Sequence, residues 1–210
     1  MSPAAPSPTI PTLADLPLVI TTPRLRMRPI EPGDVEAIWP VVSDPAFPVH
    51  MSWNAHTDKA QTRAFVAIVS EALEKGEGIT WAIEREERVQ GVIGLDDITW
   101  QLRAWRVDRA ELGYWIAPAL QGQGLMTEAA HAVVRWGFET LGLHKINVGC
   151  FAENAASRRV IEKVGFRYVG RLEDDVWRDG RWWSGLRFEL TAADWPDVQT
   201  TMRVSRPRRS

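Results

Sequence analysis

Two glycines one residue apart, Gly122 and Gly124, give the clearest chemical signal in the sequence. They follow a strand-like run that ends at Pro118 and precede an amphipathic helix that begins near Thr127. Glycine lets the backbone curl so that successive N–H groups point into one concavity, and the positive end of the helix dipole lies directly behind it. The spacing therefore predicts a cradle for phosphate groups.

The glycine pair alone leaves the ligand open, because glycines at a strand-to-helix turn are also common for steric reasons. Two well-known phosphate loops do not fit this sequence. It contains no GxxxxGK(S/T), and Gly124 is not followed by the third glycine of GxGxxG.

Other reactive residue types give weaker signals. The four histidines lack the HExxH or paired-cysteine context of a zinc site, so we predict no metal centre. The single cysteine, Cys150, alternates with Ile146 and Val148, which predicts a buried structural thiol rather than a nucleophile. Asn154 and Ser157 lie three residues apart at the start of a short helix, where both can cap free N–H groups.

Strand and helix patterns alternate on both sides of the cradle. The predicted strands are residues 19–30, 80–84, 89–98, 110–116 and 146–150, and the predicted helices are a segment after Asp34 and residues 57–75, 127–141 and 154–164. Asp179-Gly180 predicts a tight turn between two closing strands. This order predicts an α/β (α+β) fold, with helices flanking one mixed sheet and a βαβα segment in its second half.

A length of 210 residues suits one domain with tails. We predict a disordered proline-rich segment over residues 1–17, one domain over residues 18–196 and a basic tail over residues 197–210. The amino terminus lacks the pattern of a secretory signal, and no apolar run reaches the length of a membrane span. Together with the single cysteine, these features predict a cytoplasmic protein.

The formal net charge is −2, which excludes recruitment of nucleic acid or an anionic membrane by the overall field. Four arginines and no acidic residue lie within residues 203–210. The rest of the chain holds 21 basic and 27 acidic residues, a net charge of −6. We therefore predict no nucleic-acid partner and no membrane partner.

The cradle and several later motifs resemble the GNAT superfamily of acyl-coenzyme A dependent N-acyltransferases. The superfamily signature, Gln/Arg-x-x-Gly-x-Gly/Ala, reads here as Gln121-Gly122-Gln123-Gly124-Leu125-Met126, with Met126 departing from the preferred Gly or Ala. Matches to the branch that contains the ribosomal-protein N-terminal acetyltransferases occur at residues 22–28, 127–129, 154–157, 162–166 and 179–182. The resemblance extends from about residue 20 to residue 195.

The resemblance implies acetyl-coenzyme A, or another acyl-coenzyme A, as co-substrate, with no metal. It implies a mostly antiparallel sheet in which two parallel strands, residues 114–117 and 146–151, splay apart around the pantetheine arm. The residues implied to bind the cofactor are Trp115, Ile116, Gln121, Gly122, Gln123, Gly124, Leu125, Met126, Thr127, Asn154 and Ser157. Backbone amides at Trp115 and Ile116 would polarise the thioester carbonyl. Ser157 is implied near the sulfur, either as general acid or in a purely positional role.

The general base has two candidates. Glu111 lies on the strand before the cradle, near the position where many superfamily members carry a catalytic Glu, and its apolar neighbours could raise its pKa. The acidic run Glu173-Asp174-Asp175 is the rival, because the ribosomal branch carries a Glu slightly further along, where this sequence has Val176.

The acceptor that the branch resemblance favours is a protein or peptide N-terminal α-amine, which would attack the thioester directly without an acyl-enzyme on Cys150. A small-molecule amine, acetylated or succinylated, is the alternative, and a non-catalytic acyl-coenzyme A sensor is another. The acidic domain suits a cationic amine, and Trp53, Trp100, Trp182 and Trp183 are candidate walls of its pocket. Dimers are common in the superfamily, so a homodimer is a further expectation.

Overall fold

The computed structural model describes residues 10–204, the last five through their backbone alone. Eight strands within these residues form one sheet with the order β1-β2-β3-β4-β5-β6-β8-β7. The strands are β1 Ile20–Thr21, β2 Arg26–Pro29, β3 Ile79–Arg85, β4 Arg88–Leu102, β5 Trp105–Ile116, β6 Lys145–Phe151, β7 Arg167–Arg178 and β8 Arg181–Thr191. All neighbours pair antiparallel except β5 and β6, which are parallel. The predicted fold class is confirmed.

Within residues 10–204, five α-helices flank this sheet, and local sequence signals set several of their ends. They are α1 Val35–Val42, α2 Lys59–Lys75, α3 Leu125–Glu139, α4 Ala155–Val164 and α5 Trp195–Val204. Helix α2 starts where the Asp58 carboxylate accepts a hydrogen bond from the Ala60 amide, and it ends at Gly76 with a φ of 73°. Helix α4 has the same design, with Asn154 at its start and Gly165 at its end.

Each face of the sheet has its own apolar layer. Strand β5 shows the alternation that produces them, because successive side chains point to opposite faces. Its Leu112 joins the core covered by α3, whereas its Trp115 joins the cluster formed with Val35 and Ile38 of α1. Helices α3 and α4 therefore lie on one face, and α1 and α2 lie on the other.

The parallel pairing of β5 with β6 is short. It joins Arg109 through Glu111 to Lys145 through Asn147, and no pairing follows, although β5 continues to Ile116 and β6 to Phe151. Strand β5 stays paired with β4 on its other side, and β6 with β8. The two strands are thus held apart by their outer neighbours, which leaves a fixed gap between them.

The single strand predicted over residues 19–30 is wrong. The chain turns back at Thr22 and Pro23, where the Thr22 amide donates to the Leu25 carbonyl (2.9 Å), and it forms the β1–β2 hairpin. A second hydrogen bond stabilises this turn, because the Thr22 hydroxyl accepts from the Leu25 amide (3.0 Å).

The disorder predicted for residues 1–17 does not extend to residues 10–17. A short 3-10 helix, Leu13–Asp15, buries Leu13 in the core. Two tryptophan indoles fix the segment after it, because Trp136 donates to the Pro17 carbonyl (2.8 Å) and Trp81 donates to the Leu18 carbonyl (2.6 Å). Residues 1–9 lie outside the described part of the chain.

The predicted basic tail starts within α5, which continues to Val204. Trp195 at the start of this helix is buried in the core. Residues 205–210 lie outside the described part of the chain. Within residues 10–204, each helix is too short or too polar to cross a bilayer.

Candidate active site

The glycine cradle lies between β5 and α3. Gly122 and Gly124 both have left-handed backbones, with φ of 74° and 73°, and Gly124 directly precedes the helix. A Cβ on Gly122 would meet no atom within 4 Å, so the requirement there is conformational rather than steric. The first amides of α3 have no acceptor within the helix, which leaves them available to an anion.

Helix α3 begins at Leu125, two residues before the predicted start, so Leu125, Met126 and Thr127 lie in its first turn, which also includes Glu128. The Leu125 and Met126 side chains are 1% and 7% exposed and pack in the core. Their backbones therefore face the loop while their side chains turn inward. This accounts for Met126 at a position where the superfamily prefers Gly or Ala.

A carboxylate in this first turn ties the cradle to the β1–β2 hairpin. Glu128 accepts hydrogen bonds from the Thr22 hydroxyl (2.6 Å), the Arg24 amide (3.1 Å) and Arg24 Nε (2.6 Å). Burial acts to raise the pKa of Glu128, but these hydrogen bonds outweigh it and the pKa is lowered. Arg24 Nη1 also donates to the Gln123 carbonyl (3.0 Å). The motif over residues 22–28 indicated the family resemblance but did not indicate this role.

The last residues of β5 border the gap. Trp115 and Ile116 are 7% and 6% exposed and pair with Val92 and Gly91 of β4. Gly91 is required by this contact, because a Cβ there would lie 2.6 Å from the Trp115 carbonyl oxygen. The edge of β5 that faces β6 has no strand partner beyond Glu111.

Hydroxyl groups line the gap on the α3–α4 face. The Tyr114 hydroxyl lies 2.9 Å from Ser157 Oγ, and Asn154 Oδ1 accepts a hydrogen bond from the Ser157 amide (3.0 Å). The predicted helix cap at Asn154 is thereby confirmed. Burial raises the pKa of Tyr114, so its hydroxyl stays protonated at neutral pH.

Cys150 of β6 is half-buried on the same face. Burial raises the pKa of its thiol above the ordinary value, with smaller opposing effects from Arg158 and Ser157. A raised pKa leaves little thiolate at neutral pH, and the thiolate is the nucleophilic form.

Carboxylates line the opposite face, which α1 and α2 partly cover. Asp96 of β4 is directly opposite Glu111 of β5 in the strand register. A Cβ on Gly94 would lie 3.1 Å from Asp96 Oδ1, and one on Gly113 would lie 3.2 Å from Asp96 Oδ2. The Asp96 carboxylate therefore lies against the backbone of two glycines, Gly94 on β4 and Gly113 on β5.

Arg187 of β8 joins the two base candidates of the sequence analysis. Its Nη1 lies 3.7 Å from Glu111 Oε1, and its Nη2 lies 3.6 Å from Asp175 Oδ2. Burial raises the pKa of Glu111, while Arg187 acts to lower it. Glu173 points elsewhere and accepts a hydrogen bond from the Ser184 hydroxyl (2.9 Å).

Aromatic residues of the loop over residues 43–56 border this carboxylate face. Phe47 packs edge-on against Trp115 with ring centres 5.6 Å apart, and Trp53 lies 6.1 Å from Phe47. His50 lies 6.0 Å from Trp183 of β8, so the loop reaches the β7–β8 hairpin.

The four tryptophans predicted as pocket walls do not share one surface. Trp53 and Trp183 lie at this loop, whereas Trp182 pairs with Trp177 on the exposed part of the hairpin, with ring centres 5.4 Å apart. Trp100 packs against the core under α3. Within the described residues, no group of three His, Cys, Asp or Glu side chains converges in the way that would hold a metal ion.

Comparison with known families gives a match over most of the domain. A family model described as "Acetyltransferase (GNAT) domain" matches residues 24–167. The "Uncharacterized N-acetyltransferase YoaA" of Bacillus subtilis (strain 168) is 30% identical over 164 residues, which cover 77% of this chain and 90% of that protein. The ribosomal protein uS5-alanine N-acetyltransferase of Escherichia coli (strain K12) is 34% identical over 84 residues, 40% of this chain and 43% of that protein.

Solved structures of two other proteins share the fold. The RimL ribosomal L7/L12 alpha-N-protein acetyltransferase, in complex with coenzyme A, superposes with a TM-score of 0.74 and 20% identity, over 82% of this chain and 97% of that one. Mycobacterium smegmatis RimJ, in complex with a coenzyme A disulfide, gives a TM-score of 0.75 and 22% identity, over 87% and 90%.

Proposed function

Because the chain belongs to the GNAT family of acetyltransferases and is an acyl-coenzyme A dependent N-acetyltransferase, we propose that its acceptor is the α-amine at the N-terminus of a protein or peptide. The donor in this proposal is acetyl-coenzyme A. The observation that carries it is the gap between β5 and β6, which opens beside the glycine cradle with hydroxyls on one face and carboxylates on the other.

The cofactor would bind along this gap. Backbone amides of the segment over residues 121–127 receive the pyrophosphate, with Arg24 as a nearby cation whose side chain is 46% exposed. The pantetheine arm lies between β5 and β6 beyond Glu111, where the two strands no longer pair. The edge of β5 offers backbone hydrogen bonds to the arm there. Asn154, which caps α4, contacts the arm from the other side of the gap.

The reaction then uses both faces of the sheet. An amine on the carboxylate face attacks the thioester carbonyl, and backbone amides at Trp115 and Ile116 stabilise the developing oxyanion. The thiolate that leaves is protonated from the hydroxyl face, by Ser157 supported by Tyr114. A base on the carboxylate face accepts the proton that the ammonium must lose before it attacks.

The acceptor enters over the carboxylate face in this proposal. Asp96, Glu111 and Asp175 provide negative charge there. Arg187 and Arg109 offset only part of this charge, so the face favours a cationic amine. Phe47, Trp53 and Trp183 provide apolar contact area at its border. The similarity to the ribosomal protein uS5-alanine N-acetyltransferase supports a peptide N-terminus as acceptor.

An acceptor screen tests this proposal. Thiol release from acetyl- and succinyl-coenzyme A is measured with peptides that carry a free N-terminus, with the same peptides blocked at the N-terminus, and with polyamines and amino acids. We expect turnover that requires acetyl-coenzyme A and a free peptide N-terminus. Turnover with small amines alone would identify a small-molecule acetyltransferase, and coenzyme A binding without turnover of any amine would identify a sensor.

A further inference from the structure

We propose that Asp96 is the general base that takes the proton from the acceptor ammonium, while Glu111 stays paired with Arg187 and acts on Asp96 through its charge. This inference rests on the proposed function, because it assigns a role within the same site. Four structural observations support it.

The first observation is the position of Asp96 at the end of the gap where β5 and β6 stop pairing. Its register partner, Glu111, is the last residue of β5 that pairs with β6. The Asp96 carboxylate lies over Gly113, two residues further along β5, where the strand already borders the gap. A group at this place is near any amine that approaches a thioester held between the strands.

The second observation is a β-bulge that begins at Asp96. The register between β4 and β5 shifts after the Asp96–Glu111 pair, and Asp97 adopts a left-handed φ of 52°. The Ile98 amide then donates to the Glu77 carbonyl (2.8 Å), which fixes the chain beyond the bulge. Asp96 is the last residue of β4 in regular register before the bulge, so its side chain shares a face with Glu111, and the bulge ends regular pairing there, as bulges often do next to active sites.

The third observation concerns partners. Burial raises the pKa of Glu111, but its carboxylate is already engaged in an ion pair with Arg187, which acts against that rise. No hydrogen bond or ion pair of the Asp96 side chain is found within residues 10–204. Its oxygens are therefore free to accept a proton from a ligand.

The fourth observation is electrostatic. The residue remains exposed to solvent on one side, but burial of the carboxyl group over the sheet raises the pKa of Asp96 to about 6, and the charges of Asp97 and Glu111 add to this effect. Thr80 of β3 lies beside Gly94, as Asp96 does, but its side chain carries no charge. A base works best when its pKa is close to the working pH, and Asp96 meets this condition.

Acetyl transfer in this proposal moves two protons from the acceptor nitrogen. The ammonium transfers one proton to the Asp96 carboxylate, which gives a neutral amine and a carboxylic acid. The nitrogen lone pair forms the N–C bond to the thioester carbonyl, and the C–S bond breaks to release the thiolate. Ser157 gives its proton to the thiolate, so coenzyme A leaves as the thiol, and the second nitrogen proton passes through water to Ser157 as the amide forms, which restores the neutral serine. Asp96 then releases its proton to water.

The test compares pH profiles of kcat for the wild-type protein, Asp96→Asn, Glu111→Gln and the exposed control Glu74→Gln, with acetyl-coenzyme A and an accepted amine. We expect Asp96→Asn to lower kcat at neutral pH by about 100-fold or more, with recovery as the pH rises and the free amine becomes abundant. Glu111→Gln should keep the acidic limb of the profile but move it to lower pH, because it removes a negative charge beside Asp96. Glu74→Gln should match the wild-type protein.

Coenzyme A affinity, measured by calorimetry, serves as the check on folding and should be the same in all four proteins. An Asp96→Asn variant with the wild-type kcat and the wild-type acidic limb would overturn the inference and leave the proposed function intact. Loss of the acidic limb in Glu111→Gln alone would also overturn it. A wild-type protein that acetylates no amine would instead overturn the proposed function, and this inference with it.

Discussion

Tyr114 and Ser157 share a hydrogen bond between their hydroxyl oxygens, 2.9 Å apart, which joins β5 to the first turn of α4. Because burial raises the pKa of Tyr114, this hydroxyl remains a donor through the neutral range. Ser157 can then accept from Tyr114 and donate its own proton into the gap. The Ser157 amide is fixed separately by Asn154, so the orientation of the serine does not depend on a single contact.

We predict that Ser157→Ala lowers kcat by about 10- to 100-fold, because a general acid is lost, and leaves coenzyme A affinity nearly unchanged. Tyr114→Phe should have a smaller effect, since it removes the partner of the acid rather than the acid. Steady-state kinetics with acetyl-coenzyme A measure both effects. A larger loss in Tyr114→Phe than in Ser157→Ala would make Tyr114 the donor and Ser157 the partner.

The cradle glycines give a second prediction, with a matched control in the same chain. Gly122 and Gly142 have left-handed backbones with φ of 74° and 80°, and a Cβ on either would meet no atom within 4 Å. Alanine at either position should cost about 1 kcal/mol of stability, because L side chains disfavour this conformation. Only Gly122→Ala should also weaken coenzyme A binding in calorimetry, since only this strain distorts the cradle. Equal affinity in the two variants would argue against the phosphate assignment.

Gly124→Glu is the stronger form of the same prediction. It puts a carboxylate at the start of α3, where the pyrophosphate would bind, and charge repulsion adds to the backbone strain. Coenzyme A binding should fall below detection while circular dichroism keeps the native spectrum. Unchanged affinity in the folded variant would place the cofactor elsewhere.

The parts of this fold that were predicted correctly depend on local signals. Gly76, Gly165 and the Asp179-Gly180 turn end or reverse their elements through their own backbone preferences, so neighbouring residues suffice to identify them. The β1–β2 hairpin was missed because the alternation of residues 19–30 continues through the turn at Thr22. Only the hydrogen bonds that the turn makes in three dimensions separate the two strands.

The missed site residues depend on strand register instead. Asp96 gains its role from being opposite Glu111 and from Gly113 on the next strand, and Arg187 gains its role from reaching across β6. Asp96 lies 15 positions before Glu111 in the sequence and Arg187 lies 76 positions after it, and a shift of one residue in strand register would turn each side chain to the other face. Glu111 and the run Glu173-Asp174-Asp175 were predicted as rival bases, but no pattern in the sequence places Arg187 between Glu111 and Asp175.

The Glu128 network gives a pH-dependent prediction. Its pKa is lowered in the folded protein, so its stabilising effect is present above the unfolded pKa and is lost as the pH falls through the folded pKa. Glu128→Gln should therefore lower the melting temperature at pH 7, and the difference from the wild-type protein should shrink below about pH 4. Glu162→Gln is the control, because its ion pair with Arg158 is exposed on both sides and should contribute little. Equal changes in melting temperature in the two variants would contradict the proposal that Glu128 stabilises the protein by holding the β1–β2 hairpin against α3.

Asp96 gives the opposite dependence. Its folded pKa of about 6 exceeds its unfolded value, so the ionised carboxylate destabilises the folded protein at any pH above 6. Asp96→Asn should thus raise the melting temperature at pH 8. The gain should decline as the pH falls from 6 towards 4, where the carboxyl group becomes protonated in both states. A melting temperature that falls at pH 8 would mean that the carboxylate has a stabilising partner.

Cys150 gives the last prediction, which concerns the route of transfer. A covalent route would need a thiolate at Cys150, but burial raises the pKa of this thiol and keeps it protonated at neutral pH. Its half-buried place on β6, beside the Ser157 and Tyr114 pair, is explained by packing against the core under α3. Cys150→Ala should therefore retain most of the wild-type kcat, with a modest loss of stability from the lost contacts.

Initial-rate kinetics decide between the routes independently of the variant. Direct attack in a ternary complex gives double-reciprocal lines that intersect when both substrates are varied, whereas an acyl-enzyme gives parallel lines. Intersecting lines and an unmodified Cys150 by mass spectrometry, after incubation with acetyl-coenzyme A alone, are expected. Parallel lines with an acetylated Cys150 would mean that the thiol ionises when the cofactor binds. Cys150 of β6, rather than the incoming amine, would then be the nucleophile that attacks the thioester.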